Sequence, residues 1–153
     1  MNSHEEGKLL LRAVSHNQDT IPYDTDTDLF VNSEVTVSPN PSPYVWSSTA
    51  PSYFQNSSNE TRRYMIRFSV WWSYEWYGNR KIGINSNYEG VIAVDYSNYG
   101  SCHRQLSHVC DLKSNEEITF FVWHEDDTNT MSIGYNGIDI DKNTIIQIIE
   151  MPM

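Results

Sequence analysis

Two short apolar runs near the end of the chain constrain its fold most. Ile118 to Trp123 packs β-branched and aromatic residues together, a polar turn-forming cluster follows at Glu125 to Asn129, and Ile145 to Ile149 forms the second run. Neither run has helical spacing and both are bounded by turn chemistry, so they predict strands of an antiparallel sheet. The core is expected to be built on these two strands.

The rest of the chain reads the same way. Tyr64 to Tyr77 is the longest strand candidate: Tyr64, Ile66, Phe68, Val70, Trp72, Tyr74 and Trp76 fall on one face, and Met65, Arg67, Ser69, Trp71, Ser73, Glu75 and Tyr77 on the other. Arg67 among apolar neighbours reads most simply as a stem lying over apolar surface with its charge in water. Lys8 to His16 is short for a helix and has no capping residue in the right place, so a first strand is preferred over a turn and a half of helix. Val35 and Val37 alternate with Thr36, whereas Pro39, Pro41 and Pro43 exclude a central strand where they stand. Tyr44 to Phe54 reads as a short strand or a surface covering of aromatics. Gly78-Asn79 is a turn, Lys81 to Asn85 and Gly90 to Asp95 are strands, and Arg104 to Lys113 carries Leu106, His108, Cys110 and Leu112 on one side. About eight to ten strands at short spacing indicate an all-β sandwich or barrel. Residues 1–7 read as a polar arm and 8–153 as one domain, long enough to bury roughly two-thirds of its unfolded surface.

Acids outnumber bases 20 to 10, giving a formal charge of −10. That balance repels phosphate backbones and acidic membranes, so neither nucleic acid nor membrane insertion is expected. The start, MNSHEEGKLLLRAVSH, does not read as a secretion signal, and no stretch approaches the length of a membrane span. The local acidic clusters, Asp24 to Asp28 and His124 to Asp127, read as solvated loop charge.

Catalytic constellations are not found. No G-x-S-x-G elbow occurs, and neither Cys102 nor Cys110 sits in a basic, Gly-rich setting. On one straight strand the two cysteines lie about 26 Å apart, beyond disulfide reach, and free thiols are expected. Cys102, His103, His108 and Cys110 fall within nine residues, but on a strand His103 points away from the other three, so no zinc site is assigned. The DTDTD run resembles the opening of a calcium loop, but Leu29 replaces the needed Gly and Val35 the closing Glu. No cofactor is assigned; a weak calcium site from loop carboxylates stays open. Asn56-Ser57-Ser58 and Asn59-Glu60-Thr61 match the glycosylation sequon and read as a polar loop. Trp71, Trp72, Tyr74, Trp76 and Tyr77 supply more flat aromatic surface than one small core needs, which suits a subunit interface or sugar stacking.

At Cys110 to Phe120 the sequence CDLKSNEEITF, preceded by LSHV, resembles the penultimate strand pair of the tumour necrosis factor and complement globular-head superfamily. Asn115-Glu116 stands where that family has its Gly-Asp turn. The closing NTIIQIIEM is similar to the family's last strand, with Ile145 for the usual Phe and Gln147 for the usual Gly. Tyr53-Phe54, then Tyr64, Ile66 and Phe68, look like its Phe and Gly-x-Tyr-x-Phe, with Arg62 in place of the Gly. The resemblance runs from about Lys8 to Glu150. It implies a ten-strand antiparallel jelly-roll sandwich that assembles as a homotrimer through aromatic faces. Jelly rolls of this kind without a signal occur as knobs and spikes on virus particles, including bacteriophages, assembled in the host cytoplasm and released by lysis.

The expectation is therefore a non-enzymatic virion-surface protein, a head-fibre, spike or tail-associated knob with itself, other virion proteins and a host glycan or protein as partners. Candidate interface residues are Tyr64, Arg67, Trp71, Trp76, Tyr77, Phe121 and Trp123. Candidate receptor-loop residues are Asp24, Asp26, Asp28, Asn87, Tyr88, Glu125, Asp126 and Asp127. A jelly-roll capsid protein is the second reading, weakened by an acidic rather than basic arm. A carbohydrate-binding or glycan-degrading domain is the third; the His-x-His group of a cupin site does not occur.

Overall fold

The computed structural model describes residues 7–15, 19–31, 33–37, 41–49, 51–72, 78–97, 103–125, 131–133 and 143–153. The strands are β1 (Lys8–Ser15), β2 (Asp19–Ile21), β3 (Thr27–Asp28), β4 (Ser33–Val37), β5 (Tyr44–Ser47), β6 (Tyr53–Asn56), β7 (Arg62–Trp71), β8 (Arg80–Ser86), β9 (Gly90–Ser97), β10 (His103–Leu112), β11 (Glu117–His124), β12 (Met131–Ile133) and β13 (Thr144–Met151). Ten of them form two five-stranded sheets. Sheet 1 has the order β10-β7-β13-β1-β4 and sheet 2 the order β5-β6-β11-β8-β9; β3 joins β11, and β2 with β12 makes a separate ribbon. All the pairings are antiparallel. The chain passes repeatedly between the sheets, as in a jelly roll.

The apolar runs Ile118 to Trp123 and Ile145 to Ile149 lie in β11 and β13, the middle strands of the two sheets. A middle strand is paired on both sides, so its backbone polarity is satisfied by neighbours and its apolar density can be high. Between the sheets, β7 contributes Tyr64, Ile66, Phe68 and Val70, all fully buried. Phe68 meets Phe120 of β11 edge to face at 5.2 Å, and Tyr64 meets Phe54 of β6 at 5.0 Å. These crossings tie the sheets together. The β10–β11 turn falls at Lys113 to Glu116, where Asn115 adopts φ 68° and Glu116 N–H donates to the Lys113 carbonyl. Asn tolerates that left-handed conformation, so it can stand where the resembled family uses Gly.

Asn56 of the first sequon is fully buried. Its Nδ2 donates to the Glu60 and Leu112 carbonyls at 2.9 Å, and its Oδ1 accepts from Ser58 N–H and Oγ–H. The residue is a structural clasp at one end of the sandwich. At the open edge between β9 and β10, Arg104 grips Asp95 with two prongs.

Candidate functional site

Tyr64 and Phe121 do not belong to an interface. Tyr64 lies between the sheets with no exposed surface, and burial in apolar surroundings pushes its hydroxyl well above the usual tyrosine range. Phe121 points outward from sheet 2, yet it is 4% exposed because it lies over Gly83 of β8. A Cβ at Gly83 would stand 2.3 Å from Phe121 Cζ, so only glycine leaves room for the ring. Arg67 and Trp71 lie on the outer face of sheet 1, whereas Trp123 lies on that of sheet 2, beneath Lys81 Nζ at 5.1 Å from the ring centroid. The interface candidates therefore fall on opposite sides of the sandwich. Trp76 and Tyr77 are outside the described residues.

The receptor-loop candidates also divide. Asp24 N–H donates to the His124 carbonyl and its carboxylate accepts from Trp123 Nε1 at 2.9 Å; Asp26 pairs with Lys81 at 3.4 Å; Glu125 is bonded to Asn79 through backbone and side chain. Asp28 sits in β3 opposite Phe121. Asp24, Asp26 and Glu125 gather at the β8 end marked by Arg80, and Asp28 lies level with Gly83 in the middle of that strand. Asn87 and Tyr88 lie beyond Ser86, about 20 Å away at the usual strand rise. There Asn87 Oδ1 accepts from Glu117 N–H at 2.8 Å, and Tyr88 is largely exposed. The candidates mark two ends of the molecule, not one tip. Asp126 and Asp127 are outside the described residues.

Among the described residues, no three His, Cys, Asp or Glu side chains converge to hold a metal ion. Cys110 is a free, half-buried thiol, pushed up to about 12 by burial and then by the nearby Glu116, Asp111 and Glu89; this is the reverse of an activated nucleophile. Cys102 is outside the described residues.

What the structure does assemble is a patterned outer face on sheet 1. One row across it is apolar: Leu9, Ile149, Met65 and Val109 stand opposite one another on β1, β13, β7 and β10. The next row is polar and cationic, running Arg12, Gln147, Arg67 and Ser107. Ile145, Ser69 and Gln105 follow. Trp71 stacks on His103 at 4.4 Å and 17°, and His103 Nε2 shares a hydrogen bond with Ser69 Oγ at 2.8 Å. Burial and then the nearby Arg104 lower the His103 pKa, which favours the neutral form of the imidazole. A second surface lies on β9 of sheet 2, where Val91, Val94 and Tyr96 are exposed; Val91 also borders a groove of about 330 Å³ at the β9–β10 edge that includes Glu89, His108, Cys110 and Glu116. Exposed apolar groups in such a group mark contact surfaces in soluble proteins.

Of these features the sequence indicated Arg67 and Trp71. Arg12, Gln147 and Gln105 were missed, although single polar residues inside the apolar runs KLLLRAVS and TIIQIIEM were a visible signal of outward positions.

No family model matches the sequence, and no curated protein matches it. Solved structures do. Rabbit GITRL is 12% identical with a TM-score of 0.50, over 93% of this chain and 94% of its own. Eiger TNF from S. frugiperda is 10% identical with a TM-score of 0.56, over 95% and 94%. The vertex protein P5 of PRD1 is 12% identical with a TM-score of 0.59, over 97% of this chain and 100% of its own. The fold is a tumour necrosis factor-like jelly roll. It is shared end to end with two ligands of that type and with a phage vertex protein, so the resemblance read from the strand pattern holds at the level of fold. Among the described residues no helix is long and apolar enough to cross a membrane.

Proposed function

We propose that this chain is a non-enzymatic structural protein of a virus particle. In this reading it is a homotrimeric knob of the head-fibre, spike or tail-associated kind, displayed on the particle surface, where it decorates the particle or attaches it to a host protein or glycan. The observation that carries the reading is the match to the PRD1 vertex protein over the full length of that chain. Two surface features support self-association: the apolar row on the outer face of sheet 1 and the exposed apolar groups of β9. The exposed loops at either end, around Asp24 to Asp28 and around Asn87 and Tyr88, are free to carry host contacts.

Two measurements test this. Light scattering of the purified protein should give the mass of three chains, and a monomer would remove the trimer. Antibodies to the protein should label intact, purified particles, and particles that lack it would remove the virion role.

A further inference from the structure

The chain has six arginines, and four have an evident task. Arg62 pairs with Glu60 and Glu150, Arg63 with Asp111 and Arg104 with Asp95, while Arg80 is fully buried with its guanidinium 5.6 Å from the Trp72 ring. Arg12 and Arg67 meet no acid among the described residues. That is unusual in a chain where acids outnumber bases 20 to 10. The two are not scattered: they stand opposite either side of Gln147 in one cross-strand row. Their Cα atoms are two strand spacings apart, about 10 Å, a gap that two long guanidinium side chains can close. Together they line a depression of about 200 Å³ whose other walls are Ser69, Gln105, Ile145 and Gln147. Among the described residues, every polar side chain that lines it carries a hydrogen-bond donor and none is a carboxylate.

We propose that this depression is a binding site for a small oxyanion of the phosphate class, held by the guanidinium groups of Arg12 and Arg67 and oriented by Gln147, Gln105 and Ser69. Two planar forks facing one ligand match the geometry of a doubly charged oxyanion, which accepts paired N–H bonds from each. The volume falls below the roughly 300 Å³ at which pockets for larger organic ligands begin, so a small ion is the fitting occupant. The net charge of −10 disfavours a polyanion at long range, while a local pair of cations still attracts a single ion within a Debye length.

The site stands apart from the trimer reading although it shares that face of the sheet. The test is calorimetric titration of the full chain with inorganic phosphate, with solution mass measured on the same samples. Wild type should show one saturable site per chain. Arg12→Gln and Arg67→Gln should each weaken it about tenfold or more, and Arg67→Lys, which keeps the charge and loses the fork, should fall between. Arg63→Gln, outside the depression, should bind as wild type does, with far-ultraviolet spectra confirming that all variants are folded. No uptake by wild type overturns the site, as does equal affinity in both glutamine variants. A loss of mass in Arg67→Gln without phosphate uptake by wild type also overturns it, assigning the arginines to carboxylates of a second copy. Uptake by a monomer sustains the site and removes the trimer; a trimer that takes up none does the reverse.

Discussion

Asp95 of β9 and Arg104 of β10 bridge the open edge of the sandwich, with Arg104 Nε 2.6 Å from Asp95 Oδ2 and Nη2 2.8 Å from Oδ1. Each faces inward, since Asp95 is paired with the buried Ile82 and Arg104 with the buried Val70. The carboxylate raises the Arg104 pKa. Asp95→Asn leaves a half-buried guanidinium with a neutral partner and should lower stability by about 1–3 kcal/mol in urea unfolding. Solvent reaches both groups, which keeps the loss below that of a fully buried pair. An unchanged midpoint would show that the edge is held by packing alone.

Asn56→Ala should cost about 2–3 kcal/mol, because the carbonyls of Glu60 and Leu112 lose their buried donor. The same burial predicts that protein made in a glycosylating secretory host carries sugar at the exposed Asn59 and not at Asn56. Peptide mass spectrometry decides this, and a glycan on Asn56 would mean that this end is open when the sugar is added.

Gly83→Ala puts a Cβ into the Phe121 ring and close to the Ala93 carbonyl. Overpacking of this kind should destabilise by about 1–3 kcal/mol. Pairing it with Phe121→Ala should recover part of the loss in a double-mutant cycle, and strict additivity would count against the contact.

The Cys110 thiol is raised from its ordinary value to about 12, so the folded state holds this proton more tightly than the unfolded state. Its contribution to stability is complete below the unfolded thiol pKa near 9 and is lost as pH rises towards 12. The unfolding midpoint should therefore fall across that window, and less steeply in Cys110→Ala. Tyr64, also raised, adds to the fall with the same sign and remains in both proteins.

If copies of the chain meet on the outer face of sheet 1, Trp71→Ala should weaken the assembly by at least about 2 kcal/mol per interface and shift its mass towards monomer. Trp123→Ala, on the opposite side of the sandwich, should leave the mass unchanged. The reverse pair of results would move the interface to sheet 2.

The sequence by itself determined that the chain is all-β and where its principal strands run, because side-chain period is a local property that β-branched and aromatic residues write directly into the order of residues. It also pointed to β11 and β13 as the strands on which the core is built, and each is the middle strand of its sheet, paired on both sides, where a high apolar density is favoured. Tertiary structure alone decided which strands became neighbours. The row Arg12, Gln147 and Arg67 draws one residue from each of three distant segments, and only long-range register brings them together. Burial was decided there too: Tyr64 and Phe121 read equally well as interface aromatics. One is enclosed because β7 faces sheet 2, the other because a glycine on the adjacent strand opens a bed for its ring. A residue's alternation tells which side of a strand it occupies, but what covers that side is set by chain brought from elsewhere.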